Sequence, residues 1–167
     1  MTNIRRYKRD GNVYFMTHVT VNRITVLVDN FDLLWPAIES VRTKFPYELI
    51  AWVVLPEHLH LLLDPGRHDL SGLMRRIKLS FSGRLRCRRQ LTAGRVWQYR
   101  FWDHVIRNQA DMNRHIDYIH YNPVKHGLVT APCDYRYSSF HDYRKQGYYA
   151  DDWGAERPMI FDGEFGE

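Results

Sequence analysis

The sequence predicts an α+β fold of the ferredoxin-like split βαβ kind, with a central antiparallel sheet, and three observations carry that prediction. Runs of β-branched and aromatic residues bounded by turn signals mark strands, whereas apolar residues recurring every three or four positions mark helices. These runs follow one another as strand, helix, strand, strand, helix, strand, the order of the split βαβ unit. A further helix and a segment richer in Tyr, Pro, Gly and Asp come after that unit.

Val13 to Val21 follows the turn signal Asp10-Gly11-Asn12 and has the β-branched and aromatic content that fits a pleated, half-buried surface. Phe31, Leu34, Trp35, Ile38 and Val41 recur at helical spacing, so a helix is expected from Phe31 to Lys44, with Asp29-Asn30 as its N-cap and Phe45-Pro46 as its stop. Tyr47 to Leu55 and His58 to Asp64 read as strands paired across the short break Pro56-Glu57. Leu70, Leu73, Met74, Ile77 and Phe81 mark the apolar face of a long helix running to about Cys87 or beyond. Phe101 to Arg107 is the fourth strand. The last helix, from about Gln109 to Tyr121, buries Met112, Ile116 and Ile119 and is expected to stop at Pro123, which has no N–H to continue it. The helices of the split unit are expected on one face of the sheet, with this last one an addition. Residues 1–130 are expected to form the domain. Residues 131–167 are expected to be a loosely structured tail packing across it through Tyr135, Tyr137, Phe140, Tyr143 and Trp153.

A chain of 167 residues is one domain's length, and 44% hydrophobic with 26% charged residues excludes a disordered chain. No stretch approaches the ~20 apolar residues of a membrane span, and the basic start of the chain leads into no apolar signal core, so a cytoplasmic protein without a membrane partner is expected. Cys87 and Cys133 show no C-x-x-C spacing, which argues against a zinc knuckle or a disulfide framework. A net charge of +5 suits a polyanion such as nucleic acid, although so mild an excess does not require one.

Chemistry concentrates at His58-Leu59-His60. On a strand both imidazoles fall on one face while Leu59, Leu61 and Leu63 line the other, and two neighbouring imidazoles on a rigid strand can grip a metal ion. Alone, an H-x-H is more often structural than functional. Tyr118 and Asn122 sit one turn apart on the last helix. If that helix crosses the face bearing the histidines, the Asn122 amide oxygen becomes a third ligand and Tyr118 a nucleophile beside it; otherwise Tyr118 is a core tyrosine and Asn122 a C-cap. Arg75, Arg76, Lys78 and Arg84 make a basic stripe on the long helix, equally readable as a solvated face. Trp97, Arg100 and Trp102 interleave aromatic rings with charge, a composition suited to stacking on unpaired bases or to an apolar lid.

Three ordered motifs, Trp52 to His60, Trp97 to His104 and Asp117 to Gly127, closely resemble those of the REP-associated tyrosine transposases, bacterial relatives of the single-tyrosine HUH transposases of insertion sequences. The resemblance covers the chain from Arg5 to about Phe140 and weakens beyond. It implies cleavage and joining of single-stranded DNA at REP palindromes, repeats that fold into hairpins, through a 5′-phosphotyrosine. It further implies that His58 and His60 are the HUH pair, Tyr118 the catalytic tyrosine and Asn122 the residue that completes the metal site. The ion is expected to be Mg2+ or Mn2+, because phosphate and water would supply hard oxygen ligands, although two histidines also suit zinc. Binding is expected to fall to Arg5, Arg6 and Arg9, the basic helix and the aromatics from Trp97 to Trp102. Two other functions are compatible with the residues, a non-catalytic REP-binding regulator and an RNA-binding ferredoxin-like domain. The sequence names no general base for Tyr118 and does not choose between monomer and dimer.

Overall fold

The computed structural model describes residues 12–155 and 158–167. Arg5, Arg6 and Arg9 lie outside the described residues. The elements are β1 (Tyr14–Val19), α1 (Phe31–Lys44), β2 (Glu48–Val54), β3 (His58–Asp64), α2 (Leu70–Arg88), β4 (Trp102–Val105), α3 (Gln109–Lys125) and α4 (Phe140–Lys145), with single 3-10 turns at Val21–Arg23, Val28–Asn30 and Pro132–Asp134. The four strands form one antiparallel sheet in the order β2-β3-β1-β4, so the predicted α+β class and split βαβ order are what the chain adopts.

The strict alternation of β3 divides the molecule. Leu59, Leu61 and Leu63 face a core closed by Leu34, Ile38 and Val41 of α1 and by Leu73, Ile77 and Phe81 of α2. Leu62, with Phe15 of β1 and Val53 of β2, faces a second core closed by Met112, Ile116 and Ile119 of α3. Helices therefore cover both faces of the sheet. The expectation of helices on one face holds for α1 and α2, and the added helix α3 lies on the other because that face of the sheet, with Phe15, Val53 and Leu62, is also apolar and needs its own cover. In the register, Thr17 of β1 and Val53 of β2 lie opposite His60, and Val19 lies opposite His58.

Two expectations are corrected. Pro123 does not stop α3, which runs on to Lys125 and ends with Gly127 at a φ of 67°. There the Gly127 N–H donates to the Val124 carbonyl and the Leu128 N–H to that of Pro123, a Schellman closure that needs a left-handed residue at Gly127. One proline near a helix end removes a single backbone bond, and the buried face of α3 outweighs that loss. Residues 131–167, expected to be loose, contain α4 and bury Tyr135, Phe140, Tyr143, Tyr149 and Phe165 in the second core. Tyr135 and Tyr143 donate their hydroxyls to the carbonyls of Val54 and Ile50, and residues 137–139 pair with the outer edge of β2, which shields it from strand addition.

Candidate active site

His58 and His60 project from β3 into the layer beneath α3, and both are fully buried. Their hydrogen bonds fix their tautomers. The Thr17 hydroxyl has one proton and gives it to the carbonyl of Phe165 at 2.5 Å, so at the 2.8 Å contact with His60 it is the imidazole Nδ1–H that donates. The Glu57 carboxylate accepts from His58 Nδ1 at 3.0 Å. In both rings Nε2 is left as a lone pair, and both lone pairs point at one place, where Oε1 of Glu167 lies 3.0 Å from His60 and 3.6 Å from His58. Burial keeps His60 neutral by pushing its pKa down to about 4, against the opposing pull of Glu167.

Asn122 closes the same space from α3. Its amide N–H donates to Glu167 Oε1 at 2.7 Å, while its amide oxygen is buried with no partner, as is His58 Nε2. Two imidazole lone pairs and a carboxylate oxygen converge on one place, with the unpartnered amide oxygen of Asn122 on the same residue that closes it, a donor set that suits a cation, and Glu57 and Thr17 orient the imidazoles from behind. Among the described residues, His58, His60 and Glu167 can each present a ligand atom within 4.8 Å of the others. The residues present thus fit a divalent ion. Asn122 is not a helix cap, since that place belongs to His126.

Tyr118 lies one turn before Asn122 and is 1% exposed. The Phe165 ring stacks on it in parallel, centroids 3.7 Å apart, while Phe15 and Phe161 meet it edge-on. Lys125 Nζ donates to the Tyr118 hydroxyl at 3.0 Å and also binds Glu167 Oε2. His126 stands 3.3 Å from Glu167 Oε1. Burial raises the pKa of Tyr118 far above that of a free phenol, and the carboxylate of Glu167 adds to the shift, so this closed arrangement opposes the phenolate.

The structure brings Tyr118, His58, His60 and Asn122 into one space, and Lys125, His126 and Glu167, to which the sequence assigns no role, join them there. Lys125 falls seven residues after Tyr118 and three after Asn122, on the same flank of α3, beyond a proline that in sequence signals a stop. Glu167 comes from an irregular segment in which no periodicity announces a contact. The expected binding residues are dispersed. Arg75, Arg76 and Arg84 are exposed along α2, although Arg76 lies 4.2 Å over the ring of Phe45. Arg100 is exposed as well. Trp97 is 6% exposed and packs against Phe81 and His18, so its faces are core rather than free surface. Trp102 turns to the other side of the sheet, against Phe15 and over the space beside Tyr118.

A second group, His104, Asp111 and His115, also clusters. Asp111 accepts from His104 Nε2, the backbone and side chain of Arg107, and Arg114, so its oxygens are already used. That group anchors the start of α3, with Asn108 capping the helix at 2.9 Å.

The profile of the family described as "Transposase IS200 like" matches residues 12–122, and the chain belongs to that family, whose members are enzymes acting on DNA. Within it the chain sits among the REP-associated tyrosine transposases. It is 38% identical to the REP-associated tyrosine transposase of Escherichia coli (strain K12) over 98% of both chains, and 35% identical to a Haemophilus influenzae chain given the same name provisionally, over 98% of this chain and 99% of that one. A solved REP-associated tyrosine transposase bound to a REP hairpin superposes with a TM-score of 0.84 at 38% identity, covering all of this chain and 98% of that one. Among the described residues no helix is long and apolar enough to cross a membrane.

Proposed function

We propose that this protein is a metal-dependent single-strand DNA endonuclease and strand transferase acting at REP hairpins in the cytoplasm, with Tyr118 as nucleophile and His58, His60 and Asn122 as metal ligands. The observation that carries this reading is the carboxylate of Glu167. It sits against Tyr118, Lys125, His126, Asn122 and the two imidazoles, and an anion held there stands in for the phosphate of a DNA strand. His58, His60 and Asn122 would hold a divalent cation, which would polarise that phosphate and balance charge in the transition state. Mg2+ and Mn2+ both suit phosphate oxygens, and the two imidazoles favour Mn2+ of the pair.

The chain's own residues supply the rest. The Tyr118 oxygen forms a bond to phosphorus as the bond to the 3′ oxygen breaks, leaving a 5′-phosphotyrosine and, after protonation, a free 3′-OH. Attack by a 3′-OH of another strand reverses the step, rejoins the DNA and returns the proton to Tyr118. Lys125, 3.0 Å from the phenol, is placed to stabilise the phenolate and to hold the phosphotyrosine oxygen. Phe165 and Glu167 cover the site, so both must leave before a DNA strand reaches Tyr118. Their departure removes the burial and the negative charge that oppose the phenolate.

The specific rival is a non-catalytic REP-binding regulator, favoured by that same cover if it never opens. Family membership leaves the RNA-binding alternative without support. Tyr118→Phe separates the two readings. Cleavage and the denaturation-resistant protein-DNA adduct fall by at least about 10³-fold while hairpin affinity is kept if Tyr118 is the nucleophile. A wild-type protein that binds the hairpin and forms no adduct with either metal is the regulator.

A further inference from the structure

Between α2 and the segment 94–103 lies a cavity of about 770 Å³, distinct from the space beside Tyr118. It falls within the roughly 300–1,000 Å³ typical of small-ligand sites. Its walls are aromatic and basic together. Tyr99 and Phe101 contribute ring surface, the buried Trp97 forms part of the floor, and Lys78 with four arginines lines it against a single carboxylate, Asp103. Lys78 is held over the rings, its Nζ 5.9 Å from the centroid of Trp97 and 5.6 Å from that of Phe101 while donating to the Gln98 carbonyl at 3.3 Å. Tyr99 is 87% exposed, with the Arg95 guanidinium 4.2 Å from its ring centroid. The indole N–H of Trp97, buried in the wall, has no partner.

The position of this cavity ties it to the site. The Gln98 N–H donates to the Val19 carbonyl, and Val19 lies opposite His58 in the sheet. Along the strand that follows, Phe101 and Asp103 line the cavity while Trp102 between them lines the space beside Tyr118. One edge of the sheet therefore borders both.

We propose that this cavity receives an unstacked base of the same DNA strand whose phosphate is presented to Tyr118, and that it selects the nucleotide sequence next to the cleaved bond. The proposal rests on the DNA-cleaving function above. An uncharged apolar ligand would leave the five cations unmatched, and a free phosphate would leave the rings of Tyr99 and Phe101 unused. A nucleotide uses both, its base against the rings and its phosphate against the arginines. Lys78 and the Trp97 indole only donate, so the base edge facing them presents acceptor atoms.

The test measures binding without divalent metal, so that cleavage does not intervene. Wild type, Tyr99→Ala and Lys78→Met are each titrated with a REP hairpin carrying unpaired flanks, and with a series in which each flanking base is removed in turn to leave an abasic site. The expected result is one or two positions at which base loss weakens wild-type binding about tenfold, with the two variants weaker on intact DNA and indifferent to base loss there. Tyr99 projects from the surface, so Tyr99→Ala keeps the fold even if Lys78→Met does not. Tight wild-type binding with equal penalties at every flanking position, or a position-specific penalty unchanged in Tyr99→Ala, overturns the pocket and leaves the nuclease reading standing. Wild-type protein that does not bind the intact hairpin overturns that reading, and the pocket with it.

Discussion

The two faces of the sheet are built from the same strands and do opposite work. On the α1/α2 face β3 presents Leu59, Leu61 and Leu63 to an apolar core, and the buried polar groups there are few, chiefly His18, Asn30 and Ser82. On the α3 face the same strand presents His58 and His60, β1 adds Thr17 beside them, and the segments that cover this face add Asn113, His115, His120, Asn122, Ser138 and Ser139 in buried positions. One face supplies the hydrophobic stabilisation that holds β3 rigid. The other uses that rigidity to keep polar groups in fixed positions that they would not hold on a loop.

The largest expected effect separates the faces through adjacent residues. Leu61→Ala, on the apolar face, opens a cavity in a packed core and costs ~2–5 kcal/mol of stability, read from urea denaturation. His60→Ala is expected to cost less stability and, with His60 as a proposed metal ligand, to lower the cleavage rate at any metal concentration that saturates wild type. If both variants lost stability equally and His60→Ala kept its metal dependence, the division of labour between the faces would be wrong.

Removing the cover gives a smaller effect of opposite sign. Glu167→Ala abolishes the contacts to His60, Asn122, Lys125 and His126 and is expected to raise the cleavage rate roughly tenfold, the equivalent of ~1.4 kcal/mol of closing free energy. A fall in rate would instead make Glu167 a working ligand of the ion.

Acid separates the faces next. Burial pushes His115 down to about 4 and His120 to about 3, against an ordinary value near 6.5. Their folded pKa lies below their unfolded one, so the unfolded chain takes up protons first. Stability is complete above about pH 6.5 and is lost as pH falls toward 4, by up to ~1.4 kcal/mol per pH unit for each histidine. Because His60, His115 and His120 belong to the α3 face, amide protons of α3 are expected to lose hydrogen-exchange protection before those of α1 when pH is lowered from 7 to 5, after correction for intrinsic rates. Simultaneous loss would mean that the faces unfold as one unit.

The smallest effect concerns the basic helix. Arg75 lines the cavity beside α2, whereas Arg76 rests on Phe45. Arg75→Ala is expected to flatten the log-log salt dependence of DNA binding by about 0.7 to 0.9, the value of one phosphate contact, and Arg76→Ala by much less. Equal slopes would spread the DNA across the whole stripe.

What was legible in the sequence followed from periodicity. The i, i+2 spacing of His58 and His60 and the i, i+4 spacing of Tyr118 and Asn122 each fix a face before any coordinates exist, and the sheet order then brings the two faces together. Lys125 obeys the same helical rule, but Pro123 two places before it signals a helix end that the buried face of α3 overrides. Glu167 and Phe165 could not be read this way, because they reach the site through an irregular segment whose path depends on tertiary packing alone. Trp97 and Tyr99 show the same limit. Composition announced an aromatic segment, but only the bridge between Thr20 and Trp97 decides that Trp97 turns inward and Tyr99 outward.

The most direct measurement compares one buried histidine from each of the neighbouring strands β1 and β3, His18 on the apolar face and His60 on the chemical one. Mn2+ binding to wild type, His18→Leu and His60→Ala is followed by calorimetric titration in the absence of DNA. The account predicts one Mn2+ per chain for wild type and for His18→Leu, and no saturable binding for His60→Ala. Undiminished binding by His60→Ala, or its loss in His18→Leu with the fold intact, would contradict it.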